Sequence, residues 1–315
     1  MPNYLEINRY IDPLIDCVFK AILGSIENIF LLIHFLNAVL ELKKGSKIKS
    51  VEILNPYNDK EFIGDKLSIV DIKAKDENEK VYQIEIQIAN HSYLIPRIIY
   101  NWASIYYSQI REGDNYKKLN PVISIWVLGE TIFSEAKKCH LPFKIVDTKN
   151  NITLSDHLAI HLLQLPKWNY DGKIKSEKDR WIYLFKEGKK IDFNNPPKEL
   201  QTKEMRQVMQ VMKRFSESEK NFLLYQNRVN VLLKENTYVD AISRERKAKN
   251  EALKKLNLER KTKERESKAK NEALKKLNLE REAKEREREA KEIAEKKIEI
   301  LKQTLIEKGI NLEKI

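Results

Sequence analysis

From Asp240 to its end the chain contains no proline and a single glycine, Gly309. Lys, Arg, Glu, Ala and Leu dominate there, the composition of a long exposed helix. Residues 241–315 carry 24 Lys and Arg against 16 Asp and Glu. Such a segment has too little apolar surface to enclose a core, so any globular fold must come from the first 240 of the 315 residues. The tail also repeats itself. KAKNEALKKLNLER occurs at Lys247–Arg260 and again, 21 residues on, at Lys268–Arg281. Leu253 and Leu256, then Leu274 and Leu277, fit the a and d positions of a coiled coil. The positions between them, Arg260, Lys263, Ser267 and Lys270, are polar. An apolar seam is sustained only at Ala294, Ile298, Leu301 and Leu305, in a different register. A nucleic-acid-binding arm is a competing reading, but interleaved Glu dilutes its positive charge. The pattern predicts a solvated helical spacer over 241–292 and a terminal amphipathic segment, 293–315, that joins copies of the chain into a homo-oligomer.

The remaining 240 residues hold 35 basic and 31 acidic side chains, an ordinary globular balance. The overall net charge of +12 permits contact with nucleic acid without demonstrating it. Cys17 and Cys139 stand alone, with neither disulfide nor zinc-ligand spacing, which suits a reducing cytoplasm. The N-terminus lacks the pattern of a signal peptide. The most apolar stretch, IFLLIHFLNAVLEL, is 14 residues long, too short for a bilayer, so no membrane association is expected. No Gly-rich phosphate loop is present, so no nucleotide cofactor is expected.

Periodicity divides these residues into elements. Asp12–Leu23 and Glu27–Leu42 read as helices and Lys47–Leu54 as a strand. A polar loop, Tyr57–Lys66, leads to a hairpin with strands Leu67–Lys75 and Lys80–Ala89 and a polar tip, Asp76–Glu79. Arg97–Glu112 reads as a helix burying Ile98, Trp102, Ile105 and Tyr106. Pro121–Leu128 and Asp156–Leu165 read as strands, the first apolar enough for burial on both faces. Beyond Trp168 the chain is helical. The expected organisation is an α/β core over 1–170, a helical extension over 171–240, and then the tail.

The chemistry concentrates in the hairpin. A tip centred on Asn78 sets Asp71 opposite Glu85, with Cβ atoms roughly 4.5–5.5 Å apart. Period two puts Gln87 on the same face. The opposite face carries Val70, Ile72, Tyr82, Ile84, Ile86 and Ile88, suited to packing on a helix. Two acids facing each other repel unless something neutralises them. A divalent cation does so, and carboxylate oxygens suit Mg²⁺, with Mn²⁺ as its substitute. Such an ion activates water and stabilises charge on a leaving phosphodiester oxygen. The competing reading is a solvated acidic face on which Lys73 pairs with Glu85. The histidines form no ligand set. His157 and His161 read as structural and His34 as a core residue, while His91 lies near the hairpin site.

Four segments in series, DPLIDCVFKAIL, LLIHFLNAVLEL, GDKLSIVDIKAKDENEKVYQIEIQ and RIIYNWASIYYSQIREGDNYKKLNPVISIWVL, resemble the PD-(D/E)XK nuclease family transposases, also described as recombination-promoting nucleases. The resemblance runs from about Tyr10 to Trp181 and returns in the terminal EKKIEILKQTLIEKGINLEKI. It implies a restriction-endonuclease-like core of helix, three strands, helix and strand, acting on DNA as a Mg²⁺-dependent endonuclease. It places the metal-binding acids at Asp71 and Glu85, the third motif position at Gln87 and a supporting acid at Asp16. Two departures from the wider nuclease pattern stand out. Gln87 replaces a lysine, although glutamine is characteristic of this family, and Val70 replaces the proline before Asp71. A neutral amide orients water but carries no positive charge. Lys73 and Arg97 are the candidates to contact phosphate in its place.

Overall fold

In the computed structural model, the described residues are 10–54, 71–89, 93–193 and 195–307. Two helices lead, α1 (Asp16–Leu23) and α2 (Ile29–Val39), followed by strand β1 (Val51–Leu54). The hairpin is β2 (Ile72–Asp76) and β3 (Val81–Gln87), and α3 (Leu94–Tyr107) leads to β4 (Val122–Leu128). Next come β5 (His140–Phe143), a small hairpin of β6 (Val146–Asp147) and β7 (Ile152–Thr153), and β8 (Leu158–Gln164). The chain finishes with α4 (Glu177–Glu187), α5 (Lys203–Glu217) and α6 (Glu219–Glu307). The fold is mixed α/β. Its main sheet has six strands in the order β1-β2-β3-β4-β8-β5, with β3, β4 and β8 parallel and the outer pairings antiparallel.

Side-chain alternation gives the sheet two faces. Ile72, Ala74, Tyr82, Ile84, Ile125, Val127 and Leu163 share one core with α1, α2, α4 and α5. Trp181, Phe185, Met205 and Met212 belong to that same core. The other face packs against α3. Its Leu94 and Ile98 cluster with Trp126 and Leu162, and its Ile105 clusters with Val81 and Val122. Polar side chains are buried on this face as well, Gln83, Glu85 and Ser124 among them.

Several elements are shorter than periodicity predicts, because local hydrogen bonds intervene. The first helix starts at Asp16 rather than Asp12, since the Asp12 carboxylate accepts the Leu14 N–H at 2.9 Å in a preceding turn. Residues 26–28 form a 3₁₀ turn before α2. The strand expected from Lys47 begins at Val51. Asn37 takes both backbone groups of Ile48, and the Glu77 carboxylate accepts the N–H groups of Lys49 and Ser50. The third helix spans Leu94–Tyr107 rather than Arg97–Glu112, with Pro96 in its first turn. Gly113 follows with φ of +86°, a conformation glycine adopts without strain. The expected loop Tyr57–Lys66, the first residues of the hairpin strand (67–70) and His91 lie outside the described residues.

The chain divides into two compact units, Met1–Asn236 and Thr237–Ile315. In the first, the opening turns of α6 pack Phe222, Tyr225 and Val229 on the core, and the Tyr225 hydroxyl accepts the Asp12 N–H at 3.0 Å. In the second, Leu253, Leu256, Leu274 and Leu277 are all more than half exposed. Among the described residues no single helix is long and apolar enough to cross a membrane.

Candidate functional site

The hairpin register sets the geometry. Ile72 faces Ile84 and Lys75 faces Val81, so one further step brings Asp71 across from Glu85. A hydrogen bond fixes that step, because Asp71 Oδ2 accepts the Ile86 N–H at 3.0 Å. The tip is built by Asp76, whose Oδ1 accepts the N–H groups of Asn78 and Lys80 and whose Oδ2 accepts the Tyr82 hydroxyl.

Glu85 is 2% exposed and stands at the end of a buried relay. Parallel pairing of β3 with β4 sets Gln83 beside Ser124 and Glu85 beside Trp126. The Trp126 indole donates to Ser124 Oγ at 2.8 Å, and Ser124 Oγ donates to Gln83 Oε1 at 2.9 Å. Gln83 Nε2 in turn donates to Glu85 Oε1 at 3.0 Å. All three supporting side chains are fully buried. The relay orients one carboxylate oxygen. Burial, and next to it the charge of Asp71, pushes the Glu85 carboxyl up to about 8, while Gln83, Arg97 and Lys20 draw it down.

Arg97, in the first turn of α3, lies 5.4 Å from the centroid of the Trp126 ring. Its Nη1 donates to Gln87 Oε1 at 2.9 Å and its Nη2 is 3.6 Å from Glu85 Oε2. The Gln87 amide donates to the Ala89 carbonyl at 2.8 Å, so both ends of that side chain are engaged. Directly beyond β4, Gly129 donates its N–H to the Gln87 carbonyl at 2.9 Å. A Cβ there would stand 2.7 Å from the Ile88 carbonyl oxygen, so only glycine permits this close approach at the strand ends.

From the other side comes α1. Lys20 Nζ is 3.2 Å from Asp71 Oδ1. Asp16 shares that face of α1 one turn earlier, and its Oδ2 is 3.5 Å from Arg228 Nε on α6. The structure therefore brings Asp71, Glu85, Gln87 and Arg97 together, and pairs Asp16 with Arg228 rather than with any of them. Lys73 lies on the same sheet face, opposite Gln83, and the basic neighbour of Glu85 is Arg97. Lys20, Gln83, Ser124 and Trp126 are contributors that the sequence reading missed. The spacing of four between Asp16 and Lys20 in DCVFK, and period two from Glu85 back to Gln83, are the signals that point to two of them.

Three acids are thus each matched to a base from another element. Asp71 and Glu85 are the two carboxylates here that could hold a hard divalent cation. They offer carboxylate oxygens, and their cationic neighbours Lys20 and Arg97 already stand where positive charge is needed. Among the described residues no group of three His, Cys, Asp or Glu side chains forms a metal cage. Mg²⁺ needs none, since one or two carboxylates hold it and water and phosphate complete its shell.

Comparison with known proteins adds one finding. The profile of the family described as PD-(D/E)XK nuclease family transposase matches residues 13–242, well over half of the chain. No curated protein and no solved structure matches it.

Proposed function

The chain belongs to the PD-(D/E)XK nuclease family transposases, and from that premise we propose that it is a divalent-metal-dependent DNA endonuclease assisting DNA rearrangement. One observation carries the reading: two carboxylates, Asp71 and the buried Glu85, are brought across from each other on one sheet face by the β2–β3 register. The mixed sheet, with α1 on one face and α3 on the other, serves as the restriction-endonuclease-like core.

In this reading Asp71 and Glu85 hold Mg²⁺ or Mn²⁺, and Asp16 supports the charge of the site from α1. The bound ion supplies Lewis acidity toward the phosphodiester and a more acidic water. The Trp126–Ser124–Gln83 relay holds the Glu85 carboxylate in one orientation, so that no reorganisation is needed as charge develops. The second N–H of the Gln87 amide, beside the one given to the Ala89 carbonyl, orients the attacking water. Arg97 fixes Gln87 and lends positive charge beside Glu85.

A DNA-binding member that cleaves weakly or not at all is the second reading. It is favoured by the internal matching of each acid with a base and by the neutral Gln87. Supercoiled plasmid incubated with the purified full chain separates the two. Nicking that requires Mg²⁺ and stops with EDTA supports the endonuclease, and DNA binding without nicking supports the second reading.

A further inference from the structure

Glutamine at position 87 leaves the proposed site without the cation that a lysine there would offer to phosphate. Arg97 is poorly placed to replace it. Its guanidinium is tied to Gln87 and Glu85 and stacked on the buried Trp126, so moving it would undo three contacts. Lys20 differs in each respect. It reaches the site from α1 on a flexible stem, its side chain is 42% exposed, and its ammonium is matched to the carboxylate proposed to hold metal. An ion pair with so exposed a partner contributes little to stability, so exchanging it costs little. A divalent cation on Asp71 would remove the attraction that holds the ammonium and repel it. The displaced ammonium would remain within reach of any phosphate brought to the metal.

We propose that Lys20 is the phosphate-contacting cation of this site, parked on Asp71 until a divalent cation takes that carboxylate and then released to the DNA backbone. The inference rests on the DNA-cleavage reading above and deepens it. It makes metal and DNA binding mutually reinforcing, because occupation of Asp71 frees a base for phosphate.

A double-mutant cycle read by DNA affinity without metal tests it. The full-length parent, Asp71→Asn, Lys20→Met and the double variant are titrated with a short DNA duplex in EDTA over a range of salt. Asp71→Asn keeps an oxygen for the Ile86 N–H but drops the charge that holds Lys20. It should tighten binding roughly five- to tenfold and steepen the salt dependence by about one phosphate contact. In the Lys20→Met background the steepening should vanish and most of the tightening with it. Lys20→Gln, with a polar tip, runs the same cycle if Lys20→Met does not fold, and Lys20→Arg should behave like the parent. Equal tightening and an equal salt slope with and without Lys20 would overturn the proposal, since loss of the acid alone would then explain the gain. Plasmid nicking by the parent in Mg²⁺ keeps the two claims apart. Nicking with an additive cycle overturns the role of Lys20 alone, and a parent that neither binds nor nicks DNA overturns both.

Discussion

At the scale of single residues, Glu85 shows how the fold sets the state of an acid. It is almost fully buried, faces a second acid and keeps a donor on one oxygen. Its carboxyl titrates well above the model-peptide range. The sign of the consequence is definite. The folded protein holds a proton there that the unfolded chain has already lost, so metal-free stability falls as pH rises from about 4.5 to about 8. Glu85→Gln should flatten that fall, and chemical denaturation of the two proteins in EDTA at pH 5 and pH 8 checks it. Gln83 is the second informative position. Gln83→Leu keeps the volume but leaves Ser124 without its acceptor and Glu85 without its donor. Destabilisation of about 1–3 kcal/mol is expected, with cleavage reduced roughly tenfold because Glu85 is no longer oriented. A full-rate variant would separate the relay from catalysis.

At the scale of elements, β5 and β8 carry a stacked pair of histidines, His140 and His161, with Nε2 and Nδ1 2.9 Å apart. Burial pushes both down to about 4, and the Lys178 ammonium near His140 adds to it, opposed by Glu41. The unfolded chain therefore takes up protons below about 6.5 that the folded protein refuses. Stability is full above that value and is lost as pH falls toward about 4. His161→Asn should reduce this acid sensitivity, measured by urea unfolding at pH 7 and pH 5. The same strands show how much sequence reveals. Alternation and apolar runs mark β2, β3, β4 and β8, and the turn at Asn78 sets the hairpin register, which puts Asp71, Glu85 and Gln87 on one face. The strand β5 is not legible, since it is four residues long, contains Pro142 and exists through pairing with β8. Nor is the start of β1, where Asn37 and Glu77 take the backbone groups of residues 48–50. The Lys20–Asp71 pair joins α1 to the edge of β2, and no local pattern encodes a contact between residues so far apart in sequence.

At the scale of the whole molecule, the sheet unit and the charged tail carry different burdens. The repeat of 21 residues is three heptads, so removing one copy preserves a 3.5-residue register. Deleting residues 247–267 should shorten α6 by about 31 Å at about 1.5 Å per residue, leaving cleavage and subunit number unchanged. Truncation after Asp240 removes the terminal apolar seam as well and should reduce the subunit number, which light scattering measures. A change in subunit number on removing the single repeat would make the repeat part of the assembly. The central claim concerns the sheet unit: its paired carboxylates form the metal-binding centre of a DNA endonuclease. The rate of Mg²⁺-dependent plasmid nicking by the parent beside folded Glu85→Gln tests it most directly. The account predicts nicking by the parent and a loss of at least about a hundredfold in the variant, the scale expected when a group acting on the reacting centre is removed. Equal nicking by the two proteins would contradict it.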